Sequence, residues 1–480
     1  VSNISTNNKY VTMCRWIGVL ALWLAAPVAA SEAYRAQVGA YVAEARQANL
    51  ALRGAGQAMR GAEADLAAAE ARWRPTVTLS ARHSRAEGGR VQELPVGDLV
   101  NPAYSALNEL LAAQGQPPRF GAIPNQTLAF LRAREQDSRL SLTQPLYAPE
   151  IGAGRAAAAA GVVAAEAVED ALATALARDV EVAYLRWLQA REALAIVEAS
   201  RELLMENLRV NRVLEAHGKL THDQVLRAEA EVLAIEQEAL SAGHAIAQAR
   251  SLFNTLLNRP LDAALVAAQV PDPDAEVRRR LGALADADAG ELVPLARQAR
   301  AELVAFEGRV RAAEAGVTAE RAARQPTLGF ALEAGIQGED YGFGSGANYA
   351  VASLVLDWRL ADFGQTRGAI DRASARLEQE RLAREDLAAR IALEVRLAAD
   401  GLKIARASLA TAAARQVAAA EGFRIAARKR DAGAIPQVEY LDARTTLTAA
   451  ELNLNLTRFA VLVRLAELQA ALGRGGDRGL

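Results

Sequence analysis

The sequence predicts a mainly α-helical fold with a membrane β-barrel portion, built as a tandem duplication of long helical hairpins. Three observations predict it. No proline interrupts the chain between Pro149 and Pro260, or between Pro326 and Pro436. Proline inside a helix costs about 3 kcal/mol, so such stretches permit very long helices. Four short segments change their hydrophobic period from near 3.6 to 2, the mark of strands. Finally, three phrases occur twice in the same order, the sign of an internal repeat.

Composition agrees with long helices. Alanine dominates, aromatic residues make up 5% of the chain, and a formal net charge of −2 hides many interleaved arginines and acids. Small side chains suit close helix packing, not a thick aromatic core. The balanced charge gives no sign of nucleic-acid binding. Lysine is confined to Lys9, Lys219, Lys403 and Lys429 and carries no functional reading.

The first 30 residues read as a secretory signal peptide. Arg15 precedes an apolar run from Ile17 to Val28, and Val28 and Ala30 are placed for cleavage before Ser31. Val1 to Thr12 reads as an upstream extension, with Met13 the expected start. A transmembrane anchor is the weaker alternative, because the run is too short to span a bilayer comfortably. Cys14 lies ahead of the run and is not a lipid acceptor at the cleavage point. The exported chain then holds no cysteine, hence no disulfide, and no other long apolar segment is expected.

The repeats set the domains. "AEADLAAAEARWRPTVTLSA" (Ala62 to Ala81) matches "AEAGVTAERAARQPTLGFAL" (Ala313 to Leu332), and "LSLTQPLYAPEIGAGR" (Leu140 to Arg155) matches "ASLVLDWRLADFGQTR" (Ala352 to Arg367). "AHGKLTHDQVLRAEAEVLAIE" (Ala216 to Glu236) matches "DAGAIPQVEYLDARTTLTAAE" (Asp431 to Glu451). Residues 31–258 form the first repeat, 259–290 a linker, 291–473 the second repeat and 474–480 a tail.

Each repeat reads helix, strand, loop, strand, long helix, tight turn, helix. Gly152 to Ala216 would extend roughly 95 Å as one helix. Small and aliphatic residues at Val180, Ala183, Tyr184, Trp187 and Leu188 mark its buried stripe. Strands are expected at about 76–84, 139–147, 327–336 and 349–358. Val77, Leu79 and Ala81 oppose Thr76, Thr78, Ser80 and Arg82; Leu328, Phe330, Leu332, Ala334 and Ile336 oppose Thr327, Gly329, Ala331 and Glu333. Ala350, Ala352, Leu354, Leu356 and Trp358 make a third apolar row.

Strands of this length with one apolar and one polar face fit a transmembrane barrel, lipid outside and a wet lumen inside. A soluble hairpin covering a helix gives the same pattern. Glu87 to Asp137 and Gly338 to Asn348 are read as a long and a short loop on an exposed face. If the strands lie in lipid, their edges must be paired. Four strands per chain enclose no lumen, so several chains must share one barrel.

With "RWRPTVTLSA", "LVLDWRLADFGQTR" and "AGAIPQVEYLDARTTLTAAELNL" on the page, the chain resembles the TolC-like outer membrane efflux proteins over nearly its whole exported length. The resemblance implies a homotrimer, with a twelve-stranded β-barrel continuous with a periplasmic α-helical barrel. It implies a mixed girdle to which the linker and tail contribute. It further implies an outer-membrane exit duct in a Gram-negative bacterium, serving tripartite efflux or type I secretion. The partners would be a periplasmic adaptor and an inner-membrane transporter, ATP-driven (ABC) or proton-driven. Drugs, metals or secreted proteins would be the cargo. A periplasmic coiled-coil adaptor or scaffold is the alternative.

Local chemistry singles out the third phrase. Arg428, Lys429 and Arg430 suit a helix C-terminus, Gly433 a left-handed cap, and Pro436 the first turn of the next helix. Gly218 plays the glycine's part in the first copy, where Thr221 and Gln224 fit a capping box. These turns are expected near 216–221 and 431–436. The resemblance makes Gly218, Lys219, Leu220 and Thr221, with Gly433, Ala434, Ile435 and Pro436, the adaptor-docking tips. Leu220 and Ile435 are expected to be exposed there.

Glu439 and Asp442 share one helical face. A solvated surface explains two such acids by themselves. The resemblance places them as an acidic ring at the channel entrance, where three chains would bring six carboxylates together. Such a ring would favour cations and bind a multivalent blocker. Glu439 stands where the family more often has aspartate, and Ile435 replaces an arginine that latches some members.

No enzyme, cofactor or metal site is inferred. His217 and His222 lie five apart without the same-face spacing of a metal pair, and His83 and His244 stand apart from them. Gly342, Gly344 and Gly346 read as a hairpin tip, with no lysine and helix following as a phosphate loop requires.

Overall fold

The computed structural model describes residues 31–344 and 346–475. The signal-peptide reading, Met13, Cys14 and most of the tail lie outside the described residues. The chain divides into two units. The larger holds residues 31–65, Ala157–Glu314 and 374–475; the smaller holds Leu66–Ala156 and Ala315–Ala373.

Helices dominate the larger unit. They are α1 (31–48), α2 (Leu50–Ala71), α4 (Pro149–Ala216), α5 (His222–Leu256), α6 (Pro273–Leu281), α7 (Ala289–Ala299), α8 (Ala301–Ala322), α9 (Gln365–Asp431) and α10 (Gln437–Ala471), several of which also enter the smaller unit. Each proline-free stretch holds one very long helix, α4 of 68 residues and α9 of 67; the first stretch also contains α5, and the second begins with two strands. Contrary to expectation, α4 includes a window apolar enough, by length and composition, to cross a membrane, with mean hydropathy 1.3. Alanine supplies much of that apolarity, and part of the alanine face is a packing surface. Gly308 of α8 sits so close to α4 that a Cβ there would lie 2.8 Å from Ala164 Cβ and 2.9 Å from Ala160 O.

Five of the aromatics pack together in the larger unit. Tyr34, Tyr41, Tyr184, Trp187 and Phe253 fill a core between α1, α4 and α5. Tyr41 and Phe253 meet edge to face with centroids 4.9 Å apart. This core also solves a backbone problem, since the irregular linker between α5 and α6 must satisfy its buried polar groups. The Tyr184 hydroxyl donates to Val266 O at 2.8 Å and accepts from Ala268 N at 2.9 Å. Asn254 Nδ2 donates to Leu261 O and Ala263 O. Burial pushes the Tyr184 hydroxyl up to about 12. A second core joins α6, α7 and α8 to α9 and α10 around Val277, Leu292, Ile391 and Leu465.

The smaller unit is built on a four-stranded antiparallel sheet in the order β1-β4-β5-β6: β1 (Thr76–Arg85), β4 (Arg134–Tyr147), β5 (Thr327–Gly338) and β6 (Asn348–Asp357). Directly paired residues share a face. The register therefore collects Val77 and Leu79, Leu142 and Leu140, Leu332 and Ala334, Ala352 and Ala350 on one side. Phe330 pairs with Leu354, and Leu328 with Leu356, on the same side. The other side carries Thr78, Ser80, Arg82, Ser141, Arg139, Asp137 and Glu333. Its polar groups meet one another: Arg139 lies 3.5 Å from Glu333, which accepts a 2.7 Å bond from the Tyr349 hydroxyl.

The long loop expected at Glu87 to Asp137 is not structureless. It contains the small sheet of β2 (Val91–Leu94) and β3 (Gln126–Ala129), the 18-residue helix α3 (Val96–Ala113), and the start of β4. Asparagines tie α3 to the returning chain. Asn101 exchanges two bonds with the backbone of Ile123, and Asn108 bonds the backbone of Arg119 and Phe120. The rings of Tyr104 and Phe120, with centroids 5.1 Å apart, add an aromatic contact between the helix and the returning chain.

Candidate functional site

The two turns written twice in the sequence are built alike. Lys219 N donates to Leu214 O and Gly218 N to Glu215 O; Ala434 N donates to Lys429 O and Gly433 N to Arg430 O. Each is a Schellman end, and its glycine takes the left-handed backbone it needs, φ 68° at Gly218 and 69° at Gly433. Thr221 occupies the N-cap of α5 but makes no side-chain cap bond, so the expected capping box is absent. Gln224 instead gives its backbone N–H to Thr221 O. Pro436 is the N-cap of α10 and precedes its first turn.

The tips differ from expectation in one respect that matters. Leu220 and Ile435 are not exposed. Both are half-buried and pack against a core formed by Val197, Leu204, Leu208, Val225, Tyr440 and Leu441. The two copies of the phrase thus meet in one core. They meet unequally, because Leu226 is 52% exposed whereas its counterpart Leu441 is buried.

A groove of about 980 Å³ opens beside this core, between α4, α5, α10 and the end of α9. Leu220, Ile435 and Pro436 line it, while the other tip residues do not. Asp442 and Arg227, which are counterparts in the repeat, line the same groove. Glu439 and Asp442 are both exposed, but only Asp442 borders the groove. His217 and His222 serve separate local contacts, each ring Nδ1 lying 2.7 Å from its partner, Val213 O and Glu215 respectively.

The arrangement matches known proteins in two ways. Residues 292–474 match the family model described as outer membrane efflux protein. The fold matches a CusC structure described as forming a transmembrane channel, at TM-score 0.74 and 18% identity, covering 92% of each chain. VceC, an outer membrane protein of Vibrio cholerae, matches at TM-score 0.71 and 18% identity over 93% of this chain and 98% of its own. The CmeC outer membrane channel of Campylobacter jejuni matches at 0.70 and 15% over 92% and 87%. This chain has the fold of a TolC-like outer membrane efflux protein. No curated protein matches it in sequence.

Within that outer membrane efflux fold, the tip region holds residues that periodicity and turn signals did not single out. Arg430 of α9 lies over the Tyr440 ring, its Cζ 3.9 Å from the centroid. Arg444 of α10 lies over Phe423 of α9 at 5.4 Å, and the Phe423 and Tyr440 rings are 5.4 Å apart. Arg430 and Gln437 both donate to Asn207 Oδ1 of α4. Arg444 is buried, and its Nε donates to Ser200 Oγ, which is 3.1 Å from Thr448 Oγ1. Burial lowers the Arg444 pKa against the opposing pull of Glu451 and Tyr440. The signal was present in the sequence: Arg444 and Thr448 interrupt the apolar stripe Tyr440, Leu441 and Leu447 at positions that face inward.

Proposed function

We propose that this chain is the outer-membrane exit duct of a tripartite efflux or type I secretion system, working as a homotrimer in a Gram-negative cell. The observation that carries this reading is the two-faced sheet. Its apolar side leaves Leu79 75%, Leu354 70% and Leu356 64% exposed, and its opposite side is a ladder of hydroxyls and ion pairs. In lipid such a sheet is favourable only once its edges, β1 and β6, are paired with further copies. Three copies give twelve strands, apolar to lipid and polar to the lumen. Substrate delivered by an inner-membrane transporter, ABC or proton-driven, then passes through without chemistry on the duct.

In this reading the turns at Gly218, Lys219, Leu220 and Thr221 and at Gly433, Ala434, Ile435 and Pro436 receive the periplasmic adaptor. Half-buried Leu220 and Ile435 set the shape of the tips, leaving the backbone and Lys219 to make contact. Glu439 and Asp442 form the acidic entrance ring. The protein should fractionate with outer membranes as a trimer and form cation-selective channels in planar bilayers. A water-soluble monomer, or release from membranes by salt or alkali as for a coiled-coil scaffold, would overturn the proposal. Replacing both acids (E439Q with D442N) should weaken block by multivalent cations; unchanged block removes the ring while leaving the duct.

A further inference from the structure

The larger unit holds a cavity of about 160 Å³ that plays no part in the duct reading, walled by α1, α4, α6 and the end of α10. Among its charged lining residues, guanidinium groups predominate. Among the described residues, six arginines border it against a single carboxylate, Glu181. Some of that charge is already used. Arg280 bonds Glu181, Glu276 and Gln469, Arg279 bonds Glu276, and Arg178 bonds Asp179.

The remaining three do not have that relief. Arg35 donates through Nε to Ser31 O, and neither it nor Arg46 or Arg474 pairs with a carboxylate among the described residues. Arg35 and Arg46 stand eleven residues, about three turns, apart on α1, so both project toward the same side. Arg474 comes from another element, held just beyond α10 by the left-handed turn at Gly473, where Arg474 N donates to Gln469 O. Val38 and Val42 line the wall between the α1 arginines and are buried. Low-dielectric walls strengthen the field of the cations they carry.

We propose that this cavity is a binding site for one small oxyanion, of phosphate or carboxylate type, held by Arg35, Arg46 and Arg474. The guanidinium fork matches two oxygens of such a group, and charge-assisted bonds of this kind are short and strong. The volume accepts one such anion with a few waters, each needing about 10–15 Å³ by this measure. Bound there, the anion ties α1 to the end of α10 and stabilises the folded chain by mass action. The site is independent of the duct reading, since none of its residues lies in the tip turns or the sheet.

The test uses the full chain, purified in detergent in its assembled form. Equilibrium dialysis with radiolabelled inorganic phosphate, and separately with succinate, is run at constant ionic strength set with sodium chloride. Saturable retention near one anion per chain is expected for at least one probe, and the probe that responds names the chemistry. The R46Q and R474Q variants should each bind roughly tenfold or more weakly, as loss of one charge-assisted bond implies. R46K, which keeps the charge but loses the fork, should fall between. Arg46 is exposed, so R46Q should keep the wild-type circular dichroism. Retention of neither probe, as when a neighbouring copy fills the cavity, overturns the proposal, as does binding unchanged in a folded R46Q/R474Q double variant.

Discussion

Gly218 and Gly433 show what a single residue does in this chain. Each ends a helix of the tip hairpin in a backbone conformation that costs an L-residue roughly 1–2 kcal/mol. A Cβ at either position would meet open space, so that cost is backbone strain alone. G218A and G433A should therefore each lower the unfolding free energy by about that amount, measured by denaturant titration. The two losses should be similar because the hydrogen bonding around them is the same. A much larger loss at one tip would show that its glycine also makes a close contact. Local rules suffice to read this residue: Gly433, just past the basic run Arg428 to Arg430, marks a left-handed helix end. The inward turn of Leu220 and Ile435 was not readable, because it depends on a core assembled from three distant segments.

At the scale of the element, the sheet is where alternation in sequence becomes chemistry. Leu354 and Ser353 are neighbours, yet the register puts Leu354 opposite Phe330 on the apolar side and Ser353 opposite Ala331 on the other. In a lipid-facing strand an arginine costs about 2–4 kcal/mol at the bilayer midplane, falling toward the interfaces. L354R should therefore strongly reduce the folded fraction in lipid vesicles, while S353R should fold and change only conductance. Equal losses would reject the lipid-facing assignment. The alternation of Leu328 to Ile336 was legible because a strand's period is short and local. The insertion between β1 and β4 was read only as a loop; how its helix is tied back, by asparagine-to-backbone bonds between residues more than ten apart, is a matter of tertiary contact.

Over the whole molecule, an ion knot draws together segments far apart in sequence. Glu276 accepts from Ser31, Arg279 and Arg280, while Arg280 also reaches Glu181 and Gln469. Burial pushes the Glu276 carboxyl up, but the bonds and charge of the two arginines outweigh it and hold the group at about 2. A depressed carboxyl stabilises the fold above its ordinary value of 4.5 and loses that contribution as pH falls toward 2. Stability should fall between those limits, and E276Q should flatten that part of the profile when unfolding is followed by circular dichroism. An unchanged acid profile in E276Q would show that other carboxyls govern it.

The long helices, the amphipathic strands, the tip glycines and the repeated phrases can all be read along the chain, since each rests on local rules of proline, period and backbone conformation. Tertiary structure decided which residues meet. It set five aromatics beside the linker, placed Asp442 and Arg227 on one groove, paired Arg430 and Arg444 with rings of the opposite helix, and brought to one cavity three arginines with no carboxylate partner among the described residues. Those choices depend on how helices tens of residues apart are set against each other. No local period encodes that, because packing is settled by the whole set of faces at once.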